Sequence, residues 1–155
     1  TELSLPKRMV NEKEVASAKG EIEKLRSGTP EEIRKNMKRW LWHQKTVDRF
    51  AEQDADPSLP MEMHVIRLGD IALCTNRFEL FTEYGMRIKG RSPALQTFVI
   101  QLCGPGSYLA TDEAEEGGSY SAIVNSCLVG PEGGGVLVDE TVSLLEGMWP
   151  KPKAD

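Results

Sequence analysis

The sequence predicts an α/β fold, in which a mixed sheet follows an N-terminal helical hairpin and carries further helices layered on it. Short β-rich runs near residues 62–68, 71–75 and 97–102 follow two helix-start motifs. Helical spacing of apolar residues returns after the second run and again near the end of the chain. A strand, a helix and a second strand in that order indicate a crossover connection within one sheet.

Two capping-box motifs predict the helical hairpin over residues 11–54. Asn11 and Thr29 are each followed three residues later by glutamate, and a proline comes directly after Thr29. The second helix, over residues 30–53, has a basic face with two tryptophans, a pattern found on RNA-binding and lipid-binding surfaces. Acidic residues are interspersed in the same helix, and we therefore favour an ordinary solvated face.

The stretch Met61–Arg91 is the centre of the predicted fold. Residues 61–68 alternate partly between apolar and polar, Gly69-Asp70 is typical of a turn, and an apolar run of strand length follows. Asn76 then has the character of a helix N-cap for a helix over residues 77–89.

Glu79 occupies the third position after Asn76, where a capping box places its carboxylate. One interpretation is that Glu79 only caps this helix. The other interpretation is functional, because a carboxylate at the N-terminus of a helix that follows a strand is well placed for catalysis or metal binding. The local pattern alone favours the cap.

The second half of the chain predicts one more strand and two helices. Residues 97–102 have the apolar density of a strand covered on both faces. A glycine-rich and proline-containing loop leads to Tyr108, which by itself is best interpreted as a loop aromatic packed on the sheet. A short helix is predicted after Thr111, and a longer one from Pro131, whose neighbouring glycines we interpret as a flexible helix start rather than a phosphate-binding loop.

Length, charge and composition limit the classes of function that the chain can have. The chain has 155 residues, enough for a single α/β domain or fragment over residues 1–155. A formal charge of −5 argues against nucleic acid as a partner, and no apolar run approaches the roughly 20 residues of a transmembrane segment. The chain begins at Thr1 rather than at methionine, which we interpret as a sign of an excised or processed piece.

Residues of the types that commonly bind metals or act in catalysis are far apart in the sequence. His43 and His64 fall in different predicted elements, and neither has a second histidine at metal-ligand spacing. The three cysteines are widely spaced, which indicates buried apolar side chains rather than a disulfide framework or a zinc knuckle. Nucleophile-elbow, Walker and dinucleotide-binding motifs do not occur.

Three runs of the sequence carry a resemblance, namely IRLGDIALCTNRFELFTEYGMRIKGRSP, QTFVIQLCGPGSYLATDEA and YSAIVNSCLVGPEGGGVLVDETVSLL. Together they resemble the second half of the catalytic region of neutral/alkaline ceramidase-like proteins. The resemblance covers about residues 61–148. It implies that the chain is half of a larger α/β sandwich.

The resemblance also implies a zinc site. In this family a glutamate after a strand and a tyrosine in a later loop each supply a zinc ligand, and by position these are Glu79 and Tyr108. Tyr108 would also have a catalytic role near the metal. The family's other ligands are two histidines from the first half of the catalytic region, to which no part of this chain corresponds. The implied activity is hydrolysis of an N-acyl amide, such as a ceramide-like lipid, by metal-activated water.

Two departures from the family pattern accompany the two candidate ligands. Arg77-Phe78 stands where relatives usually have Pro-Gly, and Cys-Gly-Pro-Gly-Ser precedes Tyr108 where a further aromatic residue is common. The implied partner is the N-terminal half of the same protein or a second chain, and the implied location is secreted or periplasmic. The alternative is a non-catalytic α/β module that retains the scaffold for binding or assembly.

Overall fold

The computed structural model describes residues 1–149, so the last six residues of the predicted 1–155 region lie outside it. Its helices are α1 (Glu12–Arg26), α2 (Pro30–Lys35), α3 (Met37–Glu52), α4 (Thr82–Arg91), α5 (Asp112–Gly117) and α6 (Pro131–Met148). Its strands are β1 (Glu2–Pro6), β2 (Ser58–Glu62), β3 (Val65–Leu68), β4 (Ile71–Thr75), β5 (Glu79–Leu80), β6 (Gln96–Ile100) and β7 (Tyr108–Leu109). A single 3-10 turn, Tyr120–Ala122, precedes α6.

The protein has the predicted α/β architecture, with helices packed against small sheets. The largest is a mixed three-stranded sheet in the order β3-β4-β6. β3 and β4 are antiparallel, and Gly69 between them has a φ of +63°, a conformation that glycine adopts without strain. β4 and β6 are parallel and α4 connects them, which confirms the predicted strand, helix and strand.

The helical hairpin is confirmed, with one difference. Both predicted capping boxes form, at Asn11 with Glu14 and at Thr29 with Glu32. The second helix is not continuous, because it is interrupted at Asn36 and divides into α2 and α3. The Asn36 side-chain amide donates to the carbonyl of Glu32 at 2.9 Å, a local bond that competes with regular helix.

The predicted strand over residues 62–68 was wrong in its extent. It divides into β2, which pairs antiparallel with β1, and β3, which pairs with β4. Local alternation cannot reveal this division, because β1 lies at the other end of the helical hairpin. The strand predicted at 97–102 ends at Ile100, and Leu102 has a positive φ of 58° that extended backbone does not allow.

The helix predicted over residues 77–89 was also wrong in its extent, because α4 begins only at Thr82 and its N-cap is Phe81. Asn76 is buried, and its side-chain oxygen accepts from the N–H of Phe78 at 3.0 Å. This is a side-chain turn of the kind that asparagine favours outside helices. Glu79 is therefore a strand residue and not part of a capping box.

The main core lies between the sheets and the helices α4 and α6. Tyr84 on α4 is almost fully buried, and its hydroxyl donates to the carbonyl of Ala110 at 2.7 Å. It packs against Gly134 of α6, where a Cβ atom would come within 2.4 Å of the tyrosine ring. Gly134 thus permits a close helix contact, and the glycine-rich start of α6 is packed rather than merely flexible.

Candidate functional site

Glu79 and Tyr108, the two residues singled out from the sequence, are direct partners in the structure. The two-residue strands β5 and β7 run parallel, with Glu79 opposite Tyr108 and Leu80 opposite Leu109. β5 follows the end of β4, and β7 follows the end of β6. The pair therefore lies beyond the carboxyl ends of two neighbouring parallel strands, a common location for sites in α/β folds.

The side chains of this pair leave the core on the same side. Phe78 and Leu109 are fully buried, and Leu80 is nearly so. Because successive side chains of a strand point to opposite faces, the residues between these core positions are directed outward. Glu79 is accordingly exposed and Tyr108 is half-buried.

Backbone hydrogen bonds fix the positions of the two strands. The N–H of Glu79 donates to the carbonyl of Ser107 at 3.0 Å, and the N–H of Tyr108 donates to the carbonyl of Ser126 at 3.1 Å. The side-chain oxygen of Gln101 accepts from the N–H of Leu80 at 2.7 Å. A short pair of strands has little intrinsic stability, so these flanking contacts fix the relative positions of the two side chains.

The Glu79 carboxylate affects the neighbouring phenol of Tyr108. It is the largest cause of a raised pKa at Tyr108, and partial burial adds to the shift. The protonated phenol is thereby stabilised beside the carboxylate. A cation placed between the two groups would act in the opposite direction and favour the phenolate.

The residues that precede Glu79 and Tyr108 contact each other. The Arg77 Nε donates to the carbonyl of Pro105 at 2.6 Å, which ties the residues before Glu79 to the loop before Tyr108. Gly106 fits closely here, because a Cβ atom on it would lie 2.4 Å from the Arg77 carbonyl oxygen. The arginine and the glycine-containing loop therefore act together in positioning the pair.

Tyr120 is a neighbour that sequence reasoning missed. It lies on the 3-10 turn and packs edge-on against Tyr108, with ring centroids 6.2 Å apart and an interplanar angle of 78°. Its side chain is 70% exposed, so the contact leaves most of the ring accessible. An aromatic residue in an irregular segment carries no periodic signal, and only the fold reveals this proximity.

The two histidines lie outside the strand pair and make contacts of their own. His43 lies on α3 with its ring against Trp42, and burial lowers its pKa. His64 is near Glu62, with 3.5 Å between Nε2 and Oε1.

A zinc site usually needs three or four protein ligands. Within residues 1–149, no group of three or more histidine, cysteine, aspartate or glutamate side chains is arranged to hold a metal ion. A carboxylate and a phenol offer two oxygen donors, which suits part of a zinc site. They do not make a whole one.

Comparisons with known proteins found no matching family model, no similar curated protein and no similar solved structure. Among residues 1–149, no helix has both the length and the apolar character that crossing a membrane requires.

Proposed function

We propose that this chain is part of a zinc-dependent amidohydrolase resembling neutral ceramidase, to which it contributes Glu79 and Tyr108. The observation that supports this most directly is the register of β5 and β7, which makes the two residues immediate neighbours. The resemblance selected them by position in the sequence, without knowledge of this pairing. Two residues that bind one metal ion must be close in space, and these two are.

The two residues would have different roles. When bound, the zinc ion supplies an activated water and polarises the amide carbonyl. Glu79 provides a fixed anion whose position is set by backbone hydrogen bonds. Tyr108 would be the second oxygen ligand from this chain, because the charge of a bound zinc ion would offset that carboxylate and favour the phenolate. Through the metal it would also take part in catalysis.

The remaining ligands would come from a partner. In this proposal a histidine-bearing polypeptide, either the N-terminal half of the same protein or a second chain, completes the site. This chain together with that polypeptide is the intact protein. The substrate class is an N-acyl amide, with ceramide-like lipids as one member.

Hydrolysis of N-acyl amides by the intact protein tests this proposal. Glu79→Gln and Tyr108→Phe should each lower kcat/KM by about 100-fold or more, the usual loss for a group that stabilises charge in the transition state. Glu83→Gln is the matched control, because Glu83 is an exposed carboxylate in the first turn of α4. Full activity in both site variants would contradict the assignment.

A second candidate function is a non-catalytic α/β module for binding or assembly. The incomplete donor set within residues 1–149 favours it. The same experiment distinguishes the two, because a non-catalytic module predicts no hydrolysis in the unmodified intact protein. Binding of the partner would then be unaffected by Glu79→Gln.

A further inference from the structure

The end of the helical hairpin around α2 has a charge opposite to that of the rest of the chain. This segment, the hairpin end, consists of residues 19–45. It holds eight lysines and arginines against four glutamates, a formal charge of +4. The whole chain carries −5, so the remaining residues together carry −9. Such a separation of charge indicates an anionic partner for the hairpin end.

The hairpin is anchored to the rest of the protein at its other end. Val47 and Phe50 of α3 pack on a small core formed by Val10, Val15 and Val124. In the described part of the chain, by contrast, the side-chain hydrogen bonds and ion pairs of residues 19–41 join only residues of the hairpin. The outer surface of the hairpin end is therefore available to a partner.

Most of the positive charges on α2 and α3 are exposed and have no acidic partner within residues 1–149. Of the five basic residues in the segment 34–45, only Arg39 forms an ion pair there, with Glu21 at 2.7 Å. The other four are all exposed, namely Arg34, Lys35, Lys38 and Lys45. Their charges are not neutralised by the hairpin and can interact with an anionic surface.

Two exposed apolar side chains lie among these charges. Met37 and Leu41 are 43% and 47% exposed and lie one turn apart on α3. Helical spacing places Lys38 and Lys45 beside Leu41 on the same side of the helix. A bilayer surface suits this combination, because apolar side chains enter the boundary between headgroups and acyl chains while lysines reach anionic headgroups. The phosphates of a nucleic acid would bind the lysines but would give the two apolar side chains no partner.

The acidic residues of the hairpin do not cancel this charge. Glu32 is engaged in the cap of α2, and Glu21 is engaged in ion pairs. Asp48 and Glu52 lie further along α3, about 10 Å and 16 Å from Leu41 at the helical rise per residue. These separations equal or exceed the screening length of roughly 8 Å at physiological salt. The sequence alone favoured a solvated surface because acids are interspersed in it, whereas the folded helix separates them from the basic residues.

We propose that the hairpin end binds the surface of an anionic lipid bilayer. Met37 and Leu41 enter the boundary between headgroups and acyl chains, and the exposed lysines and arginines contact the anionic headgroups. Glu79 and Tyr108 take no part in this contact. The inference therefore holds or fails separately from the proposed function.

Vesicle co-sedimentation of the chain tests the inference. The two vesicle types are phosphatidylcholine alone and equal parts of phosphatidylcholine and phosphatidylserine. Lys38→Glu and Leu41→Ser change one charge and one apolar side chain of the hairpin end. Lys89→Glu and Met86→Ser are the matched controls, because Lys89 and Met86 are exposed on α4, outside the hairpin.

The unmodified chain should bind the phosphatidylserine vesicles and not those of phosphatidylcholine alone, and added salt should weaken the binding. Lys38→Glu should lower the partition coefficient at least about 10-fold, since one basic residue near such a surface contributes about fivefold and a glutamate adds repulsion. Leu41→Ser should lower it at least about threefold, because the bilayer then buries less apolar area. The two α4 variants should bind like the unmodified chain.

Absence of binding to the phosphatidylserine vesicles at low salt would overturn the inference. Equal losses in the hairpin and α4 variants would overturn it too, because they would show that total charge alone decides binding. A fluorescent RNA duplex tests the other anionic partner. Binding of the duplex in preference to vesicles, weakened by Lys38→Glu and unaffected by Leu41→Ser, would overturn the lipid assignment in favour of nucleic acid.

Discussion

Glu79 and Tyr108 are opposite each other in a parallel strand pair, although α4 and β6 separate them in the chain. Their side chains leave the core on the same side, and the carboxylate raises the pKa of the phenol. The relationship depends on loop contacts as much as on the strands, because each strand has only two residues.

The pKa of Tyr108 should fall toward its ordinary value of about 10 when Glu79 is replaced by glutamine. A neutral amide removes the negative charge that now favours the protonated phenol. NMR titration of ¹³C-labelled tyrosine measures this pKa, and Glu83→Gln serves as control. An unchanged pKa in Glu79→Gln would show that the two groups do not interact.

The same pKa shift has a consequence for stability. A phenol whose pKa is higher in the folded protein than in the unfolded chain stabilises the fold below the unfolded pKa. That contribution is lost as pH rises through the folded pKa, so stability should decline above about pH 10. In Glu79→Gln, the loss of unfolding free energy that Tyr108 causes at high pH should be smaller. Urea unfolding at several pH values would measure it.

Gly106→Ala should disturb the strand pair. The new Cβ would lie 2.4 Å from the Arg77 carbonyl oxygen, and backbone must move to relieve the contact. Overpacking of this kind costs about 1–3 kcal/mol, measured as a loss of unfolding free energy in urea. Gly117→Ala is the control, since nothing lies within 4 Å of its Cβ position. Equal stability of the two variants would contradict the close fit at Gly106.

Gly134→Ala should destabilise the protein by at least about 2 kcal/mol, because its Cβ would collide with the buried ring of Tyr84. Gly135→Ala should have the opposite effect. No atom lies near that Cβ position, and alanine in a helix is up to about 1 kcal/mol more favourable than glycine. Thermal unfolding should therefore give a lower melting temperature for Gly134→Ala and a higher one for Gly135→Ala.

Arg49→Met should destabilise the protein by about 3 kcal/mol, because its guanidinium bonds several backbone carbonyls that would lose a charged donor. These carbonyls belong to Arg8, Val124, Cys127 and Leu128. Arg39→Met removes only an exposed ion pair with Glu21 and should cost about 0.5 kcal/mol or less. Equal losses in the two variants by urea unfolding would contradict the role of Arg49.

Local sequence signals were sufficient for the hairpin caps and the turn at Gly69, but not for the bounds of every element. Both capping boxes of the hairpin form at the predicted residues, and the turn at Gly69 joins the predicted strands β3 and β4. These features depend on contacts within a few residues of each other, and a single segment therefore carries the whole signal. The packing of the Gly134 region was not predictable, because Tyr84 comes from a distant helix.

The candidate site was predictable only in part. Glu79 and Tyr108 were selected by a resemblance, whereas the local pattern assigned Glu79 to a helix cap that does not form. Two-residue strands are too short to show periodicity, and their pairing follows from long-range contacts such as Arg77 with Pro105. Tyr120 was missed for the same reason, since its contact with Tyr108 arises only from the fold.

The zinc content of the intact protein is the measurement that tests the central claim most directly. Metal analysis after dialysis should find close to one zinc per molecule in the unmodified protein and in Glu83→Gln, and clearly less in Glu79→Gln and Tyr108→Phe. Full zinc content in both site variants would contradict the assignment of Glu79 and Tyr108 as metal ligands.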